Sequence, residues 1–172
     1  GGLSVVLDSF DDGNLVEYTF IGTNNASATA AAAHDGPFGL EARNFTDWMF
    51  RNDLAARVQQ GDVISAWVQS SGSLGGRGYL GFGATSTGTL SMVMAPNTNE
   101  LILQLNANYG FLNIGAVSQT WLANHWYRFE VTWQTNGNIN GRLFDSDGTT
   151  LLKTVTATNT TITSGGIAFR GF

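Results

Sequence analysis

The stretch His125-Trp126-Tyr127-Arg128-Phe129-Glu130-Val131-Thr132-Trp133 decides how the rest of this 172-residue chain is read. Tyr127, Phe129, Val131 and Trp133 form one parity, bulky and apolar. Trp126, Arg128, Glu130 and Thr132 form the other, mostly polar. A β-strand turns successive side chains to opposite faces, so this period of two predicts a strand with one face in a core and one face wet.

The same grammar runs outward from that stretch. Upstream, Ile64, Ala66 and Val68 oppose Ser65, Trp67 and Gln69. Strands are predicted at Gly78–Ala84, Thr89–Ala95, Glu100–Asn106 and Phe111–Val117, between Ser/Thr/Gly, Pro-Asn-Thr-Asn and Asn-Tyr-Gly turns. Nearer the start, Gly2–Phe10 and Leu15–Ile21 read as extended around an Asp11-Asp12-Gly13-Asn14 turn. Ala26–Ala33 favours helix by propensity, but Thr29 and its Gly/Asn neighbours favour a strand of small residues. His34-Asp35-Gly36-Pro37 is a turn, and Phe38, Leu40 and Ala42 then alternate. A short strand follows over Asp47–Asp53, and Leu54–Gln60 reads as one helical turn or a loop. Downstream, Gly141–Phe144 and Thr149–Thr156 flank an Asp145-Ser146-Asp147-Gly148 hairpin turn, and Ile162–Phe169 closes the chain. About twelve strands at this spacing predict an all-β, two-sheet antiparallel sandwich over residues 1–172, as one domain.

Composition narrows the function classes. Charged residues make up 12% of the chain, about half the usual ~25%. The net charge of −5 comes with no Lys/Arg run, which argues against nucleic acid, because phosphate binding needs clustered cations. No apolar run has the length of a membrane-spanning helix. There is no cysteine, hence no disulfide framework and no thiol chemistry. No signal peptide is legible at Gly1-Gly2, which reads as a cut end.

Several segments in this order resemble the concanavalin A-like (lectin/glucanase, laminin-G-like) jelly rolls of bacterial secreted proteins. They are Asp8-Ser9-Phe10-Asp11-Asp12-Gly13-Asn14-Leu15, the turn His34–Leu40, the strand Gly61–Trp67, then Asn124–Val131, Leu143–Thr149 and Gly165–Phe169. The resemblance implies a carbohydrate-binding module or lectin-like domain, extracellular or at a bacterial cell surface and attached to other domains of a larger parent protein. Its partner would be a polysaccharide or other glycan. It also implies a structural Ca2+ tying the first strand to the turn near the second, with Asp8, Asp12 and Asp35 as the matching oxygen ligands. The acid that the family's last strand usually contributes has no counterpart, since the chain stops at Phe172. A structural or adhesive sandwich without a sugar site is the second class, and a glycan-cleaving enzyme the third.

Catalytic chemistry has little to stand on. Laminarinase-type relatives carry paired glutamates on one strand. Glu17, Glu41, Glu100 and Glu130 are the four glutamates here, and no two share a strand. A carboxylate pair at glycosidase spacing would need distant residues such as Glu41 and Glu130 to meet. His34 and His125 sit beside turns with no nucleophile motif. Asp145-x-Asp147-Gly148 begins like a calcium loop, but position twelve is Thr156 and the match fails.

The candidate ligand-binding residues are aromatic rings beside amide and guanidinium groups, because a ring face covers the C–H patch of a pyranose while polar groups meet its hydroxyls. They are Trp48 with Arg51, Trp67 with Gln69, Tyr79 on the parity opposite Leu80 and Phe82, Arg77 in the preceding loop, and Tyr109 at a turn tip.

Overall fold

The alternating segments pair as antiparallel strands. The computed structural model describes residues 4–172, and in it they form fourteen strands and two short 3-10 turns. In chain order the strands are β1 (Thr19–Ile21), β2 (Ala26–Thr29), β3 (Gly39–Ala42), β4 (Thr46–Arg51), β5 (Val58–Gln59), β6 (Val63–Val68) and β7 (Gly78–Thr85). Then follow β8 (Gly88–Ala95), β9 (Glu100–Ala107), β10 (Leu112–Ser118), β11 (Tyr127–Trp133), β12 (Asn138–Phe144), β13 (Leu151–Thr158) and β14 (Ser164–Gly171). An eight-stranded sheet runs β1-β4-β14-β7-β8-β9-β10, with β5 also on β14. A four-stranded sheet runs β13-β12-β11-β6, and β2–β3 form a separate hairpin.

The deciding stretch behaves as its alternation requires. Tyr127, Phe129, Val131 and Trp133 point inward from β11 and are buried. They meet Leu80 and Phe82 of β7, Leu90, Met92 and Met94 of β8, and Leu101 and Leu103 of β9 in one core cluster. Burying each such side chain contributes about 1.5–3 kcal/mol. Trp133 and Phe82 meet edge to face with centroids 5.2 Å apart, the arrangement that ring quadrupoles favour. Polar tips at the core margin find partners. Trp121 Nε1 donates to the Glu100 carbonyl at 3.0 Å, and the Tyr127 hydroxyl accepts the Leu122 N–H at 2.9 Å.

The opposite parity of β11 faces out in a lateral row. Glu130 lies opposite Ser65 on one side and Arg142 on the other. It accepts hydrogen bonds from both Arg142 and Arg128.

The N-terminal segment departs from expectation. Within the predicted strand Gly2–Phe10, Gly2 and Leu3 lie outside the described residues, and residues 4–10 join no sheet. Of Leu15–Ile21 only Thr19–Ile21 is a strand, because the chain turns at Leu15, whose carbonyl accepts the Tyr18 N–H. The reason is packing. Leu7 joins the core margin, and the Phe10 and Tyr18 rings close on Phe169 at 5.7 and 6.0 Å. These apolar residues act as a plug at the sandwich edge. Ala26–Ala33 is half strand: β2 stops at Thr29, whose hydroxyl accepts the Ala32 N–H of the following turn. Leu54–Gln60 contains both a 3-10 turn and the two-residue β5.

Candidate functional site

The outward face of the eight-stranded sheet is also largely buried. Trp48 and Phe50 of β4, Tyr79 of β7, Val93 of β8, Ile102 of β9 and Ala168 of β14 form a second cluster there. Its cover is the β9–β10 turn. Asn108 and Tyr109 adopt φ of 52° and 59°, a left-handed conformation that folds the turn back. The Asn108 N–H donates to the Thr87 carbonyl at 2.7 Å, and the Tyr109 hydroxyl donates to the Thr85 carbonyl at 2.5 Å. The Tyr109 ring therefore lies 5.3 Å from Trp48 and 5.8 Å from Phe50. Burial pushes the Tyr109 phenol above its usual range.

Beside these rings runs a chain of polar side chains. Ser91 donates to Asn106 Oδ1 at 2.6 Å. Asn106 Nδ2 donates to Gln104 Oε1 and to the Gly110 carbonyl, both at 2.9 Å. Gln104 Nε2 donates to Asn113 Oδ1 at 2.9 Å. The chain thus begins at buried Ser91 and ends at exposed Asn113. Each buried amide is satisfied by its neighbour, which is what makes their burial tolerable.

Arg170 of β14 organises the exposed part of this face. Its guanidinium carbon lies 5.1 Å from the Phe45 ring centroid, 5.5 Å from Tyr79, 4.6 Å from Phe111 and 5.4 Å from Phe172. These are cation–π distances. The Arg170 side chain is only 9% exposed and is ion-paired through Nη1 with Asp47 of β4. Its Nε is buried and has no hydrogen-bond acceptor, as is Trp48 Nε1. The rings around it are open to solvent: Phe45 is 44% exposed, Phe111 54% and Phe172 40%. The outcome is an apolar patch of three phenyl rings round one guanidinium, with Asp47 ion-paired to it. Sequence reading missed it: Phe111 read as the first residue of the predicted strand Phe111–Val117, whereas β10 starts at Leu112, and Phe45 and Phe172 lie just outside strands, where alternation carries no information.

The seven predicted ligand residues do not share one surface. Trp48, Tyr79 and Tyr109 do come together, with Trp48 and Tyr79 centroids 5.4 Å apart. Trp48 is 0% exposed, however, and the other two nearly so. They support the phenyl patch from beneath and offer no open ring face. Arg51 is drawn into ion pairs with Asp53 at 2.7 Å and Asp8 at 3.3 Å. Arg77 donates to Asn97 Oδ1 at 2.9 Å and Thr98 Oγ1 at 3.2 Å. Trp67, on the small sheet, is stacked by the His34 ring at 3.9 Å and 11°. Gln69 follows it, half-buried.

The three acids assigned to calcium are each engaged by the protein's own donors or neighbours. Asp8 Oδ2 already accepts from the Tyr18 hydroxyl at 2.7 Å and from Arg51, and Oδ1 accepts the Phe10 N–H at 2.8 Å. Asp12 caps the Asn14 N–H, and Asp35 Oδ2 lies 2.5 Å from His34 Nδ1. Among the described residues no three His, Asp or Glu side chains converge on a metal-sized site. Glu41 is bonded to Arg43 and Thr29. Burial raises the Glu130 pKa, but hydrogen bonds from Arg142 and Arg128 outweigh it, so the net shift is downward.

A second concavity, about 320 Å³, opens at one end of the sandwich between the β7–β8 turn and the segment before β14. Thr85, Thr87, Thr161, Thr163 and Ser164 bring hydroxyls to it, and no charged side chain lines it.

No family model matches the sequence, and no curated protein matches it. The fold does have relatives. The carbohydrate binding module CBM66 from Bacillus subtilis superposes with a TM-score of 0.62 at 11% identity, covering 90% of this chain and 91% of that one. A protein of unknown function from Shewanella oneidensis MR-1 superposes with a TM-score of 0.55 at 10% identity, over 98% and 76%. The lectin UEA-II, solved with galactose, gives 0.50 at 11%, over 92% and 85%. At such identities the likeness establishes the fold: this chain is a jelly-roll β-sandwich of the kind lectins and carbohydrate-binding modules use.

Proposed function

We propose that this protein is a carbohydrate-binding module, and that it holds a glycan against the patch formed by Phe45, Phe111 and Phe172. The observation that carries the reading is the set of part-exposed phenyl rings gathered round Arg170, with Asp47 beside it. Sugar rings have an apolar C–H face and a hydroxyl rim, and the patch matches both. The rings are held by a shared cation and by one another, with Phe45 and Phe172 6.1 Å apart. Less side-chain entropy is therefore lost on binding. The fold shared with a carbohydrate binding module and a galactose-bound lectin supports the same reading. Such a module belongs outside the cell or on its surface, joined to other domains of a parent protein.

Retention on a panel of immobilised polysaccharides, followed by calorimetry with the best-retained one, tests it. Phe111→Ala, Phe45→Ala and Phe172→Ala remove exposed rings and are expected to leave the melting temperature nearly unchanged. At least one should weaken binding by about 1–3 kcal/mol, the scale of a truncated interface aromatic. Unchanged affinity in all three would place the site elsewhere, with the hydroxyl-lined end cleft next in line. Reducing ends released over time would favour a glycan-cleaving enzyme, and silence across the panel a structural or adhesive sandwich.

A further inference from the structure

We infer that Asp47 acts as a charge filter at the Arg170 patch, making it selective for uncharged sugars over sugars that carry a carboxylate. This rests on the carbohydrate reading above. A guanidinium presents a planar fork of donors that matches a carboxylate, and it is the usual means of recognising one. Set among four aromatic rings and largely removed from water, Arg170 alone would draw a uronic acid strongly, because its charge is poorly screened there. The sequence places its own carboxylate at that position instead.

Asp47 is 30% exposed, so it stands at the rim where a ligand would arrive. It is also held in place. Its backbone N–H donates to the Thr23 carbonyl at 2.7 Å. Gly22, at φ +78°, lies so close behind the carboxylate that any side chain there would overlap Asp47 Oδ2. Glycine suits the backbone angle there, and a side chain in its place would displace the Asp47 carboxylate. Arg170 Nη1 holds the carboxylate from the front. A carboxylate fixed in this way balances the charge of the cation, although Nε keeps no acceptor, and repels a second anion.

Of the two nearby cations, Arg43 is paired with Glu41 at 3.0 Å. Arg77 is held by the neutral oxygens of Asn97 and Thr98 and keeps its charge, so the filter rests on Asp47 at the Arg170 guanidinium itself. The overall charge of −5 adds a weak repulsion of the same sign. What a ligand meets is a set of ring faces beside a charge-balanced ion pair, which favours a neutral sugar.

The experiment measures affinity for neutral glucan, galactan, mannan and fructan beside polygalacturonate and alginate, at 20 and 200 mM NaCl, for the wild type and Asp47→Asn. The wild type is expected to bind a neutral chain with little response to salt, and both acidic chains at least about tenfold more weakly. Asp47→Asn should shift the acidic-to-neutral ratio by about tenfold toward the acidic chains at low salt. That gain should shrink at 200 mM NaCl, as a newly exposed charge pairing is screened. The double variant Asp47→Asn/Arg170→Gln should lose the gain, which locates it at the guanidinium. If Asp47→Asn fails to fold by its melting curve, Asp47→Ser replaces it. A wild type that prefers the acidic chains, or a folded variant with an unchanged ratio, overturns the filter while leaving sugar binding standing. A wild type that retains no chain at all overturns both.

Discussion

The two faces of the eight-stranded sheet are built from alternate residues of the same strands, yet they are buried by different means. The inner face, Leu80, Phe82, Leu90, Met92, Leu101 and Leu103, is covered by a second sheet and contains no polar side-chain atom. The outer face mixes Trp48, Tyr79 and Ile102 with Ser91, Gln104 and Asn106, and a single turn carrying Tyr109 lies across it. Parity therefore tells which side of a sheet a residue takes but not whether that side is wet. A dry face can be made by a neighbouring sheet, which is global, or by a folded-back turn, which is local.

Truncating the inner face should break the comparison most severely. Phe129→Ala is expected to cost about 3–5 kcal/mol, since a ring lost between two rigid sheets leaves a cavity that cannot collapse. Chemical denaturation should show one cooperative transition at much lower denaturant. Tyr109→Ala should cost less, about 1–3 kcal/mol, because the turn can settle into the space its ring leaves. Trp48 should then become accessible to quencher while the sandwich stays folded. Equal losses in the two variants would mean that both faces belong to one cooperative core, and the distinction would fail. Tyr109→Phe keeps the ring and removes only the bond to the Thr85 carbonyl, so about 1 kcal/mol is expected.

The smallest effect sharpens the contrast with the small sheet, whose outward face is ionic. The Glu130 pKa lies below its ordinary value of 4.5 in the folded protein. A depressed folded pKa gives stability that is present above the unfolded value and lost as pH falls through the folded one. The wild type should therefore melt lower at pH 3 than at pH 6, and Glu130→Gln should flatten that slope. Asp147 has the same sign, at about 2, through bonds from the Thr150 hydroxyl and then the Thr150 and Thr149 N–H groups. It should leave a residual slope in the variant. A variant with the full wild-type slope would remove Glu130 from the account.

Much of the candidate site was half legible. Tyr79 stood out as an aromatic residue off the core parity and Trp48 as one near the guanidinium of Arg51, and both do lie on the outward face. Their burial was invisible, because it depends on Asn108 and Tyr109 taking left-handed backbone angles and folding a turn over residues about thirty and sixty positions upstream. Arg170 lay one residue beyond the predicted closing segment Ile162–Phe169 and drew no reading, although β14 runs on to Gly171. Its partners come from positions 45, 47, 79, 111 and 172, and no local pattern links them.

The sequence by itself determined the class of fold and the inner core. A period of two over most of the chain calls for sheets that bury one face, in a sandwich or a closed barrel, because each strand must bury one side, and the order of the segments resembles the jelly-roll sandwich. Tertiary structure alone decided which turn closes the outer face, that residues 4–10 plug the edge without joining a sheet, and that Asp47 meets Arg170. Those outcomes rest on contacts between residues far apart in the chain. Their strength depends on positions in space to within an ångström or two, which local propensity does not encode.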